Sequence, residues 1–255
     1  MTNFSQTSTA QLGTLLAEHR RMTSSKFVYT VLPILCLLLG AGVIVGGVLS
    51  RALGTFIFSV LFALVFLGPG AWLWLTNRRE RDLLLQVFAD GFSYAANGRQ
   101  TAARWDEILE VFEKITAKSV NGAHVGTFYQ YTIILKNSAP VKTSERLGNL
   151  EAFGQTIRNE VFERRFPEAW QRYCQGEAVR FGKFELSQQG INNGRETLPW
   201  SQIKEVAVKQ GIIRLSRQGG GVLSWGQAPA AKVPNYFVMT ALADRIMQAQ
   251  ANKNK

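Results

Sequence analysis

The chain has 255 residues, enough for one or two domains of ordinary size, with a formal net charge of +11 and a pI near 10. Its 46% hydrophobic content is ordinary for a soluble protein, but the apolar residues are unevenly spread. Residues 27–76 carry a single charge, Arg51. The basic balance favours acidic partners, with anionic lipid ahead of nucleic acid. Two cysteines, Cys36 in an apolar segment and Cys174 in a polar one, make neither a disulfide framework nor a zinc site with paired ligand spacing, and His19 and His124 stand alone. The sequence therefore predicts neither a metal nor a cofactor.

In chain order, the first nine residues read as a polar end. Residues 10–22 are expected to form a short amphipathic helix, with Leu12, Leu15 and Leu16 facing lipid or protein. Residues 1–26 are thus taken as a cytoplasmic N-terminal segment.

Residues 27–76 predict a transmembrane helical hairpin. Its two apolar runs, 27–49 and 53–75, each have about the 20 residues needed to cross a bilayer core. Only Ser50, Arg51 and Ala52 separate them. The first run is too long for the apolar core of a signal peptide and is expected to remain attached. Arg20, Arg21 and Lys26 on one flank and Arg78, Arg79 and Arg81 on the other outweigh Arg51. The positive-inside rule then predicts a multi-pass protein of the inner (plasma) membrane with both termini cytoplasmic. Trp72 and Trp74, level with Phe27 and Tyr29, suggest an interfacial aromatic belt. Gly42 and Gly46 form a GxxxG that brings helix backbones together, within the hairpin or between subunits. Gly68-Pro69-Gly70 is expected to kink the second helix.

The remainder is duplicated. Residues 87–111 and 184–206 share a Gly followed by an apolar residue (Gly91-Phe92, Gly190-Ile191). They also share an Asn-Gly-Arg turn (Asn97-Gly98-Arg99, Asn193-Gly194-Arg195) and a W-x-x-I-x-x-V run (Trp105, Ile108, Val111; Trp200, Ile203, Val206). Asn-Gly between alternating apolar runs predicts a β-hairpin. Further strands are expected over 127–135 in the first unit and over 211–216 and 222–225 in the second. Each unit should close on a helix, over 147–165 and 235–249. Domains of 77–179 and 180–255 follow. Trp105 and Trp200 are expected to anchor the two cores, and Gly219-Gly220-Gly221 to form a hairpin turn.

This order of motifs, after a two-helix membrane hairpin, resembles bacterial membrane-anchored pleckstrin-homology-like (PH-like) domain proteins. The resemblance covers most of residues 84–249. It is closer in the second unit, where Leu198-Pro199-Trp200 stands in the family's usual place, than in the first, where Ala103-Arg104 precedes the Trp. The resemblance implies an α+β fold class after the membrane hairpin. Each of two tandem small β-barrel or sandwich units would be a seven-stranded bent sheet closed by a C-terminal helix, with no established activity for most members.

The two units differ in charge. Residues 77–179 have 14 basic against 13 acidic residues, whereas residues 180–255 have 11 against 4. Lys183, Arg195, Lys204, Lys209, Arg214, Arg217 and Lys232 are the candidates for contact with anionic lipid or another acidic partner. No nucleophile elbow, P-loop or dinucleotide fingerprint occurs, so no enzyme is predicted. A membrane-tethered scaffold or accessory subunit is the first expectation. A module that reads lipid headgroups is the alternative. The partners expected are membrane lipids and other membrane or cytoplasmic proteins, with a homo-oligomer left open and no nucleic acid.

Overall fold

A computed structural model describes residues 11–21, 31–50, 53–79, 82–120, 123–219 and 225–253. A helical hairpin, α1 (Leu32–Leu49) and α2 (Leu53–Arg79), is followed by an α+β region of antiparallel sheets. Pro33 sits in the first turn of α1, where its missing N–H costs nothing. Helix α2 continues through Pro69.

The residues ahead of the hairpin overturn one expectation. Residues 15–20 are strand β1 (Leu15–Arg20), not part of an amphipathic helix. β1 pairs antiparallel with β2 (Leu84–Phe88) in a register that runs from Leu15 opposite Phe88 to Arg20 opposite Leu84. The physical reason is that three leucines in thirteen residues give a helix little to bury. The open edge of β2 instead offers backbone partners along the whole segment. Leu12 and His19 are buried, while Leu15 and Leu16 remain exposed. The first unit is therefore discontinuous. It begins before the apolar helices and resumes after them, so neither the separate 1–26 segment nor the start at 77 describes it.

The duplication is visible strand by strand. In the first unit β1, β2, β3 (Gly91–Ala96) and β4 (Arg99–Arg104) form a four-stranded sheet. A 3-10 turn at Trp105–Glu107 leads into a three-stranded sheet of β5 (Ile108–Val120), β6 (Ala123–Leu135) and β7 (Val141–Lys142), and helix α3 (Leu150–Cys174) follows. The second unit repeats the order. β8 (Val179–Phe181), β9 (Phe184–Ser187), β10 (Gly190–Asn192) and β11 (Thr197–Pro199) are followed by a 3-10 turn at Trp200–Gln202. Then come β12 (Ile203–Lys209), β13 (Ile212–Arg217), β14 (Gly226–Pro229) and helix α4 (Tyr236–Lys253). By this correspondence β1 matches β8. The membrane-length hairpin occupies the place that a tight turn at Gly182-Lys183 fills in the second unit.

Each repeated motif has a structural use. Both tryptophans are buried, and each indole N–H donates to a carbonyl on the preceding hairpin: Trp105 to Ala89 at 3.1 Å and Trp200 to Ser187 at 2.8 Å. Gly91 and Gly190 lie where a Cβ would overlap the carbonyls of Ala103 and Leu198, so the strands can meet only without a side chain there. The two Asn-Gly turns differ. Asn97 and Gly98 both take positive φ (55° and 71°), as the tight turn between β3 and β4 requires. The second is a longer loop, in which the Asn193 side-chain oxygen accepts from the backbone N–H of Arg195 and Glu196.

Leu150, Phe153, Ile157 and Val161 on α3 are buried in the first core, and Leu242 and Ile246 on α4 in the second. Phe237 packs against both cores. The strand expected over 222–225 falls largely outside the described residues, as do Gly220, Gly221, Phe27, Tyr29, Lys26, Arg51 and Arg81; the described strand there is β14. His19 is a buried core residue, its Nδ1 3.2 Å from the Gly148 carbonyl.

Gly154 on α3 lies beneath Tyr131, where a Cβ would overlap the phenol ring and hydroxyl. Gly154→Ala should lower stability by about 1–3 kcal/mol through overpacking. Urea unfolding of the detergent-solubilised protein, followed by tryptophan fluorescence, measures this. Gly42→Ala, with open space around it, should leave the transition unchanged.

Candidate functional site

Three features stand out: the apolar hairpin, the basic face of the second unit and a buried polar lock between the units. In the hairpin, small residues let α1 and α2 approach. A Cβ on Gly40 would lie 2.6 Å from Leu67, and one on Gly47 2.5 Å from the Ser59 side chain. Gly70 faces Cys36 in the same way, at 3.1 Å. Gly42 and Gly46 have nothing within 4 Å and are exposed on the opposite side of α1. Within the hairpin the close packing thus falls to Gly40 and Gly47, not to the GxxxG pair.

The outer faces are apolar and bare. Only 17% of each membrane-length window is buried, and Leu38, Val45, Phe58, Leu61 and Val65 are all more than half exposed. A core helix of a soluble protein would bury such a face; an apolar surface of this extent marks contact with another apolar phase or protein. Trp72 and Trp74 are exposed near the end of α2 that leads to β2.

All seven basic candidates of the second unit are exposed. Four lie on neighbouring segments. Lys183, in the β8–β9 turn, donates through Nζ to the Gln227 carbonyl at 2.5 Å and lies 5.0 Å from the centre of the Phe184 ring. Gln227 stands opposite Arg214 in the β13–β14 register. A Cβ on Gly182 would be 3.1 Å from the Lys232 carbonyl, and one on Gly194, next to Arg195, 3.6 Å from the Lys183 carbonyl. Glu185, two residues after Lys183, is engaged by Arg180, and Glu196 directly follows Arg195. Lys209 lies at the β12–β13 turn, paired with Ile212. Lys204 and Arg217 stand apart, at the opposite end of the β12–β13 ladder.

The lock between the units was not anticipated from the sequence. Glu113, on β5, is 1% exposed. It accepts hydrogen bonds from Arg158 on α3 at 2.6 Å, from the Tyr131 hydroxyl at 3.2 Å and from the Tyr236 hydroxyl at 3.0 Å. Tyr236 belongs to the second unit and the other three to the first. Immediately before Tyr236, Asn235 takes positive φ (47°) at the start of α4 and completes the open edge of β5. Its backbone N–H donates to the Val111 carbonyl, its Oδ1 accepts from the Val111 N–H, and its Nδ2 donates to the Leu109 carbonyl, each at 2.9 Å. Arg165 covers the neighbouring Ile108 carbonyl at 2.6 Å. The signal available in the sequence was a carboxylate two residues after Val111, on the inward side of a strand.

Burial, more than the adjacent Glu113 charge, pushes the Tyr236 hydroxyl up to about 12, and Tyr131 is raised for the same reasons. The folded state therefore holds these protons more tightly than the unfolded chain, which releases them near 10. The stability that Tyr236 contributes is complete below pH 10 and is lost as pH rises toward 12. The urea midpoint should fall across that window, and less steeply in Tyr236→Phe. Glu113→Ala leaves Arg158 and two buried hydroxyls without their acceptor. It should cost about 3 kcal/mol in the same urea assay, the scale for breaking a buried ion pair.

No curated protein and no solved structure matches the chain. One family model matches nearly its whole length, residues 1–252, and so takes in the apolar hairpin and both sheet-and-helix units together. The chain belongs to that family, described as a family of unknown function, DUF6585.

Proposed function

We propose that the protein is a membrane-anchored scaffold or accessory subunit. In this reading α1 and α2 cross the inner membrane as a hairpin. The two units are PH-like domains that bind protein partners beside the cytoplasmic face. The observation that carries the reading is the pairing of β1 with β2 across the hairpin. A ladder between the residues before and after the apolar helices needs both flanks on one side of a bilayer, as two crossings provide. The bare apolar faces of both helices support immersion, and the basic flanks favour the cytoplasmic side.

The PH-like assignment is supported by each unit's four strands, Trp-centred turn, three strands and closing helix. The scaffold role is supported by the lock at Glu113 and Asn235, which holds two binding modules in a fixed relation. A second reading rests on the neighbouring segments that carry the exposed Lys183, Arg195, Arg214 and Lys232, a cluster that suits an anionic headgroup.

Purification in mild detergent separates the two: a stoichiometric protein complex supports the scaffold, and isolation with retained anionic lipid supports the headgroup module. For the anchor, the full chain should stay in the membrane pellet after an alkaline carbonate wash. A chain in which Asn-Gly replaces residues 22–82 should keep its fold and move to the soluble fraction, because β1 and β2 then meet through an ordinary hairpin turn. Recovery of that variant in the pellet would refute the hairpin as the anchor.

A further inference from the structure

The strand register of the first sheet fixes the end at which the chain leaves for the apolar helices and returns from them. Arg20, Leu84, Ala95 and Gln100 stand side by side across β1, β2, β3 and β4. Beyond that row, β1 leads toward α1 and β2 is reached from α2. The turn Asn97-Gly98 projects the same way, with Arg99 at its edge opposite Ala96. The loop before α3 lies there as well. Arg21 bridges to Leu147, and the Gly148 N–H donates to the Arg20 carbonyl at 2.9 Å. Helix α2 ends at Arg79 and β2 begins at Leu84, a separation of at most about 18 Å even when the chain between is fully extended.

Charge divides along this axis. The end toward the helices carries Arg20, Arg21, Arg99 and Arg146 against Asp82 and Glu145, with Arg20 engaged by Glu18 and Glu145 lying 4.0 Å from Lys114. The other end carries Asp90, Asp106 and Glu107 against Arg104, ion-paired to Asp106 at 3.2 Å, and Lys136, whose backbone N–H donates to the Glu107 carbonyl. The sheet is therefore basic toward the hairpin and acidic away from it.

We propose that this basic end of the first unit, with the Asn97-Gly98-Arg99 turn and the 144–148 loop, rests on the anionic headgroups of the bilayer that holds the hairpin. The contact would stand the sheet upright with its acidic end toward the aqueous phase. This rests on the hairpin crossing the membrane and adds the orientation of the domain. It is distinct from the basic cluster on the second unit. The short connection from α2 keeps the end within reach of the surface, so a few arginines suffice to hold it there.

The test uses the full chain with Cys36→Ala and Cys174→Ser, reconstituted in vesicles of phosphatidylcholine and phosphatidylglycerol. A single cysteine is placed at Asn97 or at Asp90, about 20 Å apart along the strands, and labelled with a fluorophore. A lipid carrying a spin label on its headgroup is the quencher. A carbonate wash of the same vesicles reports the anchor independently. The expected result is quenching at least threefold stronger at position 97 than at 90. Arg99→Glu should reduce it and Arg99→Lys should retain it, with the protein staying in the pellet throughout. Should the tight turn not accept cysteine at 97, a label at Gln100 reports the same end. Equal quenching at the two ends, with the protein retained in the pellet, overturns the proposed orientation alone. Quenching indifferent to Arg99→Glu overturns the electrostatic contact. Loss of the protein from the pellet overturns the hairpin and the orientation together.

Discussion

Backbone pairing between β1 and β2 is the constraint on which the rest of the architecture depends. It joins the residues on either side of two long apolar helices into one ladder, so the hairpin is an insertion within a sheet and not a leader attached to a finished domain. Arg20 and Leu84 are thereby held opposite each other, and the 63 residues that separate them must leave and return at one edge. A hairpin with close-packed arms satisfies this geometry. Gly40 and Gly47, which let α1 and α2 approach, serve that closure as much as they serve packing.

A second ladder edge solves a different problem. β5 ends its sheet and would expose unpaired backbone groups where the second unit approaches. Asn235 supplies both a donor and an acceptor to Val111, as a neighbouring strand would, and Arg165 takes the carbonyl of Ile108. Glu113 is buried at this junction with three donors around it, so its desolvation is offset by charge-assisted hydrogen bonds. The cores are further joined through Phe237, which touches both. Two duplicated units are thus bound edge to side by polar groups that neither could satisfy alone.

Periodic and repeated features were legible in the sequence. Trp105 and Trp200 with the Ile and Val that follow them, the closing helices through Leu150, Phe153 and Ile157, and the apolar runs all stand where their spacing placed them. Features that depend on distant partners were not. β1 has weak apolar alternation and becomes a strand because β2 lies beside it, a pairing that spans the whole hairpin. Glu113 is one of the 13 acidic residues within 77–179, and nothing local in the sequence shows that Arg158 and Tyr236 meet at it. Gly42 and Gly46 satisfied a spacing rule, but the helix phase turned Gly40 and Gly47 toward the neighbour. The basic residues of the second unit were visible as composition, whereas placing Lys209 at one end of the β12–β13 ladder and Lys204 and Arg217 at the other required the strand register.

The discontinuous sheet also imposes an order on biosynthesis. β1 leaves the ribosome before α1 and α2, yet its partner β2 is made only after both. Closing that long loop costs entropy that a two-residue turn in the second unit does not. β1 must therefore wait, unpaired, until the apolar arms have come together and brought its two flanks side by side. The second unit has no such dependence, because β8 and β9 are adjacent in the chain. Assembly of the first domain is in this sense coupled to assembly of the hairpin: the helices act as the template on which its edge strand is set.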